Sequence, residues 1–350
     1  MKKMLKAAAV LAAILMALTL GACDNGSSSG GGSGSSGGNG DGSGSGDGGS
    51  TTTSKNPFGF TEEDNYQSFY LDKDGNLLGE VVAGEDVEGA VFRVIWTLTD
   101  GTGEVNLIKY YGDYEDVTIP DGVTKIGEAF TACTSLKKVT IPSSVTEIGL
   151  AFSGCTSLES VTIPSSVTKI GGYTFSGCTS LASVTIPDSV TIISAGTFED
   201  CSSLKSVTIP DGVTEIDYRV FSGCTSLKSV TIPDSVTKIG ESAFQDCALL
   251  ASVTIPDGVT EIGYSAFFGC TSLTSMTIPS NVTKIDSYAF AGCSKLKEVT
   301  FAATDGWWED GSNGAKANVE NPTTNAVNLK DISSSQHNNW GNRGLRRKTE

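Results

Sequence analysis

VTIPDSVTKIGESAFQDCALLAS (Val230–Ser252) is one of eight near-copies of a single phrase. Its first valine recurs at 117, 139, 161, 184, 207, 230 and 253, is replaced by Met276, and returns at Val299. The first two steps are 22 residues and the other six are 23. A fixed period in this range marks a solenoid of stacked coils rather than a globular core. Within one unit, Leu227, Val230 and Ile232 are spaced to share one face of a strand. Pro233 ends that strand because it cannot donate to a ladder. Asp234 and Ser235 make a turn. Val236 and Ile239 form a second short apolar stretch, and Gly240 permits the reversal. Phe244 and Cys247 then fall on a tight helical or 3₁₀ turn before Leu250 opens the next unit. Such a unit cannot bury its apolar face alone, so stacked neighbours must cover both flanks and the ends need caps. The expected fold is therefore an α/β, β-rich solenoid with short strands and short helical or 3₁₀ turns, capped at both ends.

The pattern L-x-x-V-T-I-P-x-x-V-T-x-I-G-x-x-A-F-x-G-C-x-S runs over residues 116–301. It resembles the BspA-type, or treponemal, leucine-rich repeat. That resemblance implies display on a bacterial envelope or surface and adhesive binding to host matrix or other cells, without catalysis. VTFAATDGWW (299–308) and VENPTTNAVNL (319–329) are similar to the closing segment of treponemal lipoproteins of this type. Those proteins finish with a tyrosine- and tryptophan-rich end. Here the chain ends HNNWGNRGLRRKTE (337–350), a polar tail for which no fixed scaffold is expected.

The flanks of the repeats divide into further parts. Residues 1–22 carry Lys2, Lys3 and Lys6, then an almost wholly apolar run from 7 to 20. That run is short for a membrane span and has the layout of a signal peptide. Leu20, Gly21, Ala22 and Cys23 resemble a bacterial lipobox, which implies cleavage before Cys23 and diacylglycerol on its sulfur. Lipid there would be the only attachment to a membrane. Residues 23–55 then form a Gly/Ser-rich linker with no apolar face to bury. Residues 56–115 bring the aromatics Phe58, Phe60, Tyr66, Phe69 and Tyr70, and a pair of strands around Asp100–Gly101. This is the expected N-terminal cap, and 302–350 the expected C-terminal cap and tail. DKDGN (72–76) carries oxygen ligands, but its glycine falls at the fourth position of the loop rather than the sixth that an EF-hand needs. It reads as a plain β-turn.

Charge and residue inventory narrow the function. The chain has 24 basic and 40 acidic residues, a formal charge of −16. Such a surface repels nucleic acid and anionic lipid. Of nine cysteines, one is Cys23 and eight occupy one position per unit, from Cys133 to Cys293. Equivalent positions in stacked coils lie about 4.8 Å apart with parallel side chains, whereas a disulfide needs Cβ atoms turned toward each other. A buried thiol column is expected. The single histidine, His337, and the absence of any C-x-x-C leave no metal or cofactor set and no positioned imidazole for Ser–His or Cys–His chemistry. A carboxylate pair such as Glu199 or Asp200 with Asp246 is the one catalytic geometry conceivable, and no enzyme activity is expected.

Two exposed features are left for recognition. Thr140, Thr162, Thr185, Thr208, Thr231, Thr254 and Thr277 should point outward from the first strands, flanked by serines, as a flat hydroxyl field. Its readings are solubility of an open sheet face and contact with ice or a polysaccharide. The copies differ most after the glycine of the second strand, at Tyr173, Tyr218, Arg219, Tyr264 and Tyr288, with Phe268 nearby. Aromatic residues and arginine are what binding hot spots favour, and they could equally shield the turn beneath. The resulting expectation is an envelope protein that binds a host or bacterial surface protein or glycan as an adhesin or receptor, held at the outer membrane or cell surface. A structural envelope scaffold without a host ligand is the alternative.

Overall fold

The computed structural model describes residues 57–82, 87–99, 102–305, 307–309 and 345–347. The lipobox with Cys23, the linker, the Asp100–Gly101 turn and His337 lie outside the described residues. Over 116–301 the chain is a β-solenoid. Most coils carry a first strand of three or four residues, such as Ser229–Thr231, and most carry a second of two, such as Lys238–Ile239; around Val253 the first stretch is extended without strand pairing. In every strand the central or last apolar residue is inward, and its polar neighbours face out. The Pro-x-x-Val segment between the strands closes as a turn: Val236 N–H donates to the Pro233 carbonyl at 3.1 Å.

The second strands form the more continuous wall. Ile126, Ile148 and Ile170 pair in parallel, single bridges through Ile193 reach Ile216, and the ladder continues to Ile285. The first strands form shorter ladders. Four run from Asp116–Thr118 to Ser183–Thr185, two pair at 206–208 with 229–231, and two pair at 275–278 with 298–301. Their serines and threonines are exposed, as the alternation predicts.

The core is made of columns rather than a cluster. Phe130, Phe152, Phe175, Phe198, Phe221, Phe244, Phe267 and Phe290 stack with ring centroids 5.2–5.6 Å apart and planes within 15°. All eight are fully buried. Beside them runs the thiol column, and its eight cysteines are buried and form no disulfide. The column has a role that spacing alone did not reveal. From Phe130 to Phe267 each Phe carbonyl accepts the N–H of its own coil's cysteine and the Sγ–H of the next coil's. Phe198 thus receives Cys201 N–H at 3.2 Å and Cys224 Sγ at 3.2 Å. Cysteine is small enough for the column and still supplies a weak donor to a carbonyl's second lone pair.

The segment between Phe and Cys was expected to be helical or 3₁₀. Its i→i+3 bonds are present, as in Cys247 N–H to Phe244 O at 3.3 Å. Alternate N–H groups point instead along the axis to the next coil, as in Phe244 N–H to Ala266 O at 2.7 Å. A residue of positive φ two places after each phenylalanine turns the chain out of any helix. Among the described residues the one short helix is the 3₁₀ turn Glu62–Asp64.

Both ends are closed. Strands β1 (Ser68–Leu71), β2 (Leu77–Glu80), β3 (Phe92–Thr99) and β4 (Thr102–Tyr110) form an antiparallel cap. β4 then pairs in parallel with the first coil, Leu107 against Ile126. Tyr110 continues the phenylalanine stack, 4.9 Å from Phe130, and Phe60 packs on Phe69 and Trp96. DKDGN is the plain turn expected: Gly75 N–H donates to Asp72 O, and Asp72 Oδ1 accepts the N–H groups of Asp74 and Asn76. At the far end Trp307 packs edge-on against Phe301. The polar tail is not wholly without scaffold. Leu345–Arg347 pairs antiparallel with Lys284–Ile285, Leu345 is fully buried, and Arg347 bonds Ser280 O and Asp305. The leucine inside that charged run terminates the isoleucine wall.

Burial pushes the thiols of Cys178, Cys201, Cys224, Cys247 and Cys270 above their ordinary range. In the unfolded chain they ionise near about pH 8.5. Above that pH the unfolded state binds fewer protons than the folded one, so the stabilisation is full below about pH 8.5 and declines as pH rises. Denaturation midpoints should therefore fall across pH 8–10. Thiol titration at pH 8 should detect the column only after unfolding, and ready labelling in the native state would contradict this packing.

Candidate functional site

The change of period from 22 to 23 residues is a single insertion. Ile148-Gly-Leu-Ala-Phe152 becomes Ile170-Gly-Gly-Tyr-Thr-Phe175. The extra residue is the third after the isoleucine: Tyr173, Gly196, Arg219, Ser242, Ser265 and Tyr288. All six have φ between 53° and 63°. That left-handed region costs an L-residue about 1–2 kcal/mol. It is held because the residue's N–H reaches the next coil: Tyr173 to Ala195 O at 2.9 Å, Arg219 to Glu241 O at 3.0 Å, Ser242 to Tyr264 O at 2.8 Å. The inserted residue keeps the axial hydrogen bond and sends its side chain to the rim. Three of the six candidate binding residues, Tyr173, Arg219 and Tyr288, are placed by this one device.

Three successive coils build a cluster on that rim. The Tyr173 ring covers the backbone of Gly196, where a Cβ would stand 2.3 Å from Tyr173 Cε1. Arg219 Nη1 donates to Glu199 Oε1 at 2.9 Å, and its guanidinium lies 5.2 Å over the Tyr218 ring. The Glu199 hydrogen bond raises the Arg219 pKa further above its ordinary value, with smaller contributions from Tyr218 and Tyr173. Arg219 Nε has no acceptor within the described residues. Arginine held flat on an aromatic ring by a carboxylate is preorganised for a planar or anionic group. Further along, Tyr264 and Tyr288 meet edge to face at 5.6 Å, and Tyr264 is 45% exposed. Phe268 shares the coil of Tyr264 and is half-buried. The six sequence candidates thus fall into two groups on one rim.

The carboxylates considered for catalysis are placed otherwise. Glu199 is engaged by Arg219. Asp200 and Asp246 both sit at the positive-φ place after phenylalanine, φ 57°, in coils separated by the one that holds Gly223. Each leans over the glycine of the coil that follows it, Gly223 and Gly269. Aspartate is one of the few residues that tolerates this conformation, which accounts for both positions.

One set of outward residues was passed over. The residue before each second-strand isoleucine runs Lys125, Glu147, Lys169, Ile192, Glu215, Lys238, Glu261 and Lys284. Ion pairs link Lys125 and Lys169 to Glu147, Lys238 to Glu215, and Lys284 to Glu261. The T-[K/E]-I triplet carries the signal in seven of the eight units, and Ile192 is its one apolar break.

The family described as BspA type leucine rich repeat region matches residues 107–228 and 214–305, in six copies. Together these cover more than half of the chain. The chain belongs to the BspA-type leucine-rich repeat family. No curated protein matches it. Among solved structures it is similar to a leucine rich repeat protein of T. pallidum, at 32% identity over 58% of this chain and 87% of that one, with a TM-score of 0.43. A leucine-rich repeat protein from Bacteroides ovatus is similar at 28% identity over 60% and 70%, TM-score 0.44. A leucine rich cell surface protein from Faecalibacterium prausnitzii matches at 24% identity over 64% and 96%, TM-score 0.27. Within this BspA-type repeat, the inserted rim residue is where the copies diverge.

Replacing Gly196 by alanine tests the rim geometry. The substitution puts a Cβ at φ +63° and against the Tyr173 ring. It should cost about 1–2 kcal/mol in denaturant unfolding and alter the near-ultraviolet dichroism of tyrosine. Ser242→Gly, at the same place two coils on, should leave stability unchanged or raise it.

Proposed function

We propose that this chain is an envelope protein whose solenoid binds a surface protein or glycan, as an adhesin or receptor. The observation that carries the reading is the Tyr173–Glu199–Tyr218–Arg219 cluster. It joins two aromatic rings and a partly exposed, preorganised guanidinium, and it is built from the residues at which the repeats differ. Tyrosine and arginine at the centre of an extended surface are typical anchors of recognition. Membership of the BspA-type family supports a repeat protein that works by contact rather than by turnover, and the cell-surface description of a relative supports the location. The Tyr264–Tyr288 pair extends the same rim and serves as a second anchor. Attachment to the membrane is through lipid on Cys23, with the linker to residue 55 holding the solenoid away from the bilayer.

Immobilised matrix proteins, bacterial cells and a glycan panel are the direct test. The purified protein should bind at least one saturably. Arg219→Ala and Tyr218→Ala should each weaken that binding about tenfold or more, the range of hot-spot truncations, with little change in melting temperature. Thr208→Lys on the hydroxyl field should leave it intact. Absence of saturable binding across the panel, or loss only with Thr208→Lys, overturns this assignment.

Anchoring has its own readout. Cys23→Ala should move the protein from the detergent phase to the aqueous phase in a cell-fractionation assay. Protease added to intact cells should remove residues 116–301, and their protection until the envelope is broken would favour the scaffold role instead.

A further inference from the structure

The charge ladder on the second strands has an order that its ion pairs do not require. From Lys125 to Lys169 lysine and glutamate alternate, Ile192 interrupts, and from Glu215 to Lys284 they alternate again. The phase slips at the interruption. Lysine stands on one side of Ile192 and glutamate on the other. Among the described residues no ion pair crosses this gap, since Lys169 pairs back to Glu147 and Glu215 pairs onward to Lys238. Ile192 itself is 63% exposed, the highest value among the exposed large hydrophobic residues, and it stands fourth of the eight residues along the wall.

That order is complementary to its own reverse. A two-fold axis through Ile192 places a second ladder antiparallel to the first. Lys169 then faces the other copy's Glu215, Glu147 faces Lys238, and Lys125 faces Glu261. The next pair sets Lys284 against Asn106, which is neutral and pairs with Lys125 in the cap sheet. No like charges meet over a span of about 29 Å, taking about 4.8 Å per coil. An unbroken alternation centred on the same coil would bring like charge onto like charge at every pair, lysine on lysine and glutamate on glutamate in turn. Isologous interfaces demand this self-complementarity, and a surface with no symmetric partner has no reason to show it. The three lysines and three glutamates also sum to zero on a chain of net charge −16. This face is therefore one where two copies approach without the repulsion of the whole.

We propose that the second-strand wall is a two-fold interface between copies of this chain, with Ile192 on the axis and the Lys/Glu ladder setting the register. Surface ion pairs are individually weak and salt-sensitive, so the ladder selects orientation, and apolar contact about Ile192 adds attraction. The rim cluster at Tyr173, Tyr218 and Arg219 is not part of this pairing, and the inference does not rest on the binding reading above.

Sedimentation equilibrium of the purified protein, up to about 100 μM, a range that detects micromolar association, reads the outcome. The wild type should dimerise reversibly and lose affinity as salt rises. Ile192→Lys should be monomeric with an unchanged far-ultraviolet spectrum. Lys169→Glu alone should weaken association tenfold or more. Combining Lys169→Glu with Glu215→Lys should restore it, although that double variant further disrupts the pairs within each chain, Glu147 and Lys238 now facing like charges. Rescue by the double swap therefore separates an interface from a purely internal ladder. A monomeric wild type at the highest concentration, or a dimer indifferent to Ile192→Lys and to both charge variants, overturns the proposal.

Discussion

Each coil of this solenoid leaves backbone N–H and C=O groups pointing along the axis, and only a neighbouring coil in register can satisfy them. That constraint governs the rest of the structure. It explains why the period is so strictly kept, because a slipped coil would bury unpaired polar groups along a whole edge. It explains the parallel isoleucine wall from Ile126 to Ile285 and the axial bonds of the Phe–Cys turns. It also explains the caps. Leu107 of β4 and Leu345 occupy the two ends of the same wall, one in parallel and one in antiparallel pairing.

The side-chain columns follow from the same stacking. A phenylalanine repeated at one height must meet its own kind, and the rings lie nearly parallel in their stack. The cysteine column then uses the lone pair that the phenylalanine carbonyl has left over. Nothing in this core is available to a partner. The outward positions are constrained as well, since the second-strand threonines bond the preceding coil's carbonyls through their hydroxyls, as Thr237 does to Thr214 at 3.2 Å. Freedom is concentrated where an inserted residue is turned out in the left-handed region, and that is where tyrosines and an arginine collect.

Much of this was legible from residue order. The fixed period, the alternation around Val230 and the breaks at Pro233 and Gly240 are local signals that pointed to stacked coils, and the one-per-coil cysteines to a thiol column. The candidate rim residues were found because they vary where the rest repeats. The turns read as helical because Phe and Cys three apart suit a 3₁₀ pitch. The left-handed residue that prevents it, often glycine but also Ala132, Asp200 and Asp246, has no single letter. Leu345 was hidden in a charged tail because its partner, Ile285, lies 60 positions away in sequence.

Sequence by itself determined the solenoid, its columns and the outward residues, because each rests on a repeat that neighbouring coils read alike. Tertiary structure alone decided which outward residues meet. Tyr173 lies over Gly196, Glu199 holds Arg219 on Tyr218, and Tyr264 turns its edge to Tyr288. Those meetings depend on a backbone torsion of about +55° and on the axial spacing of coils, and neither quantity is written in any one unit.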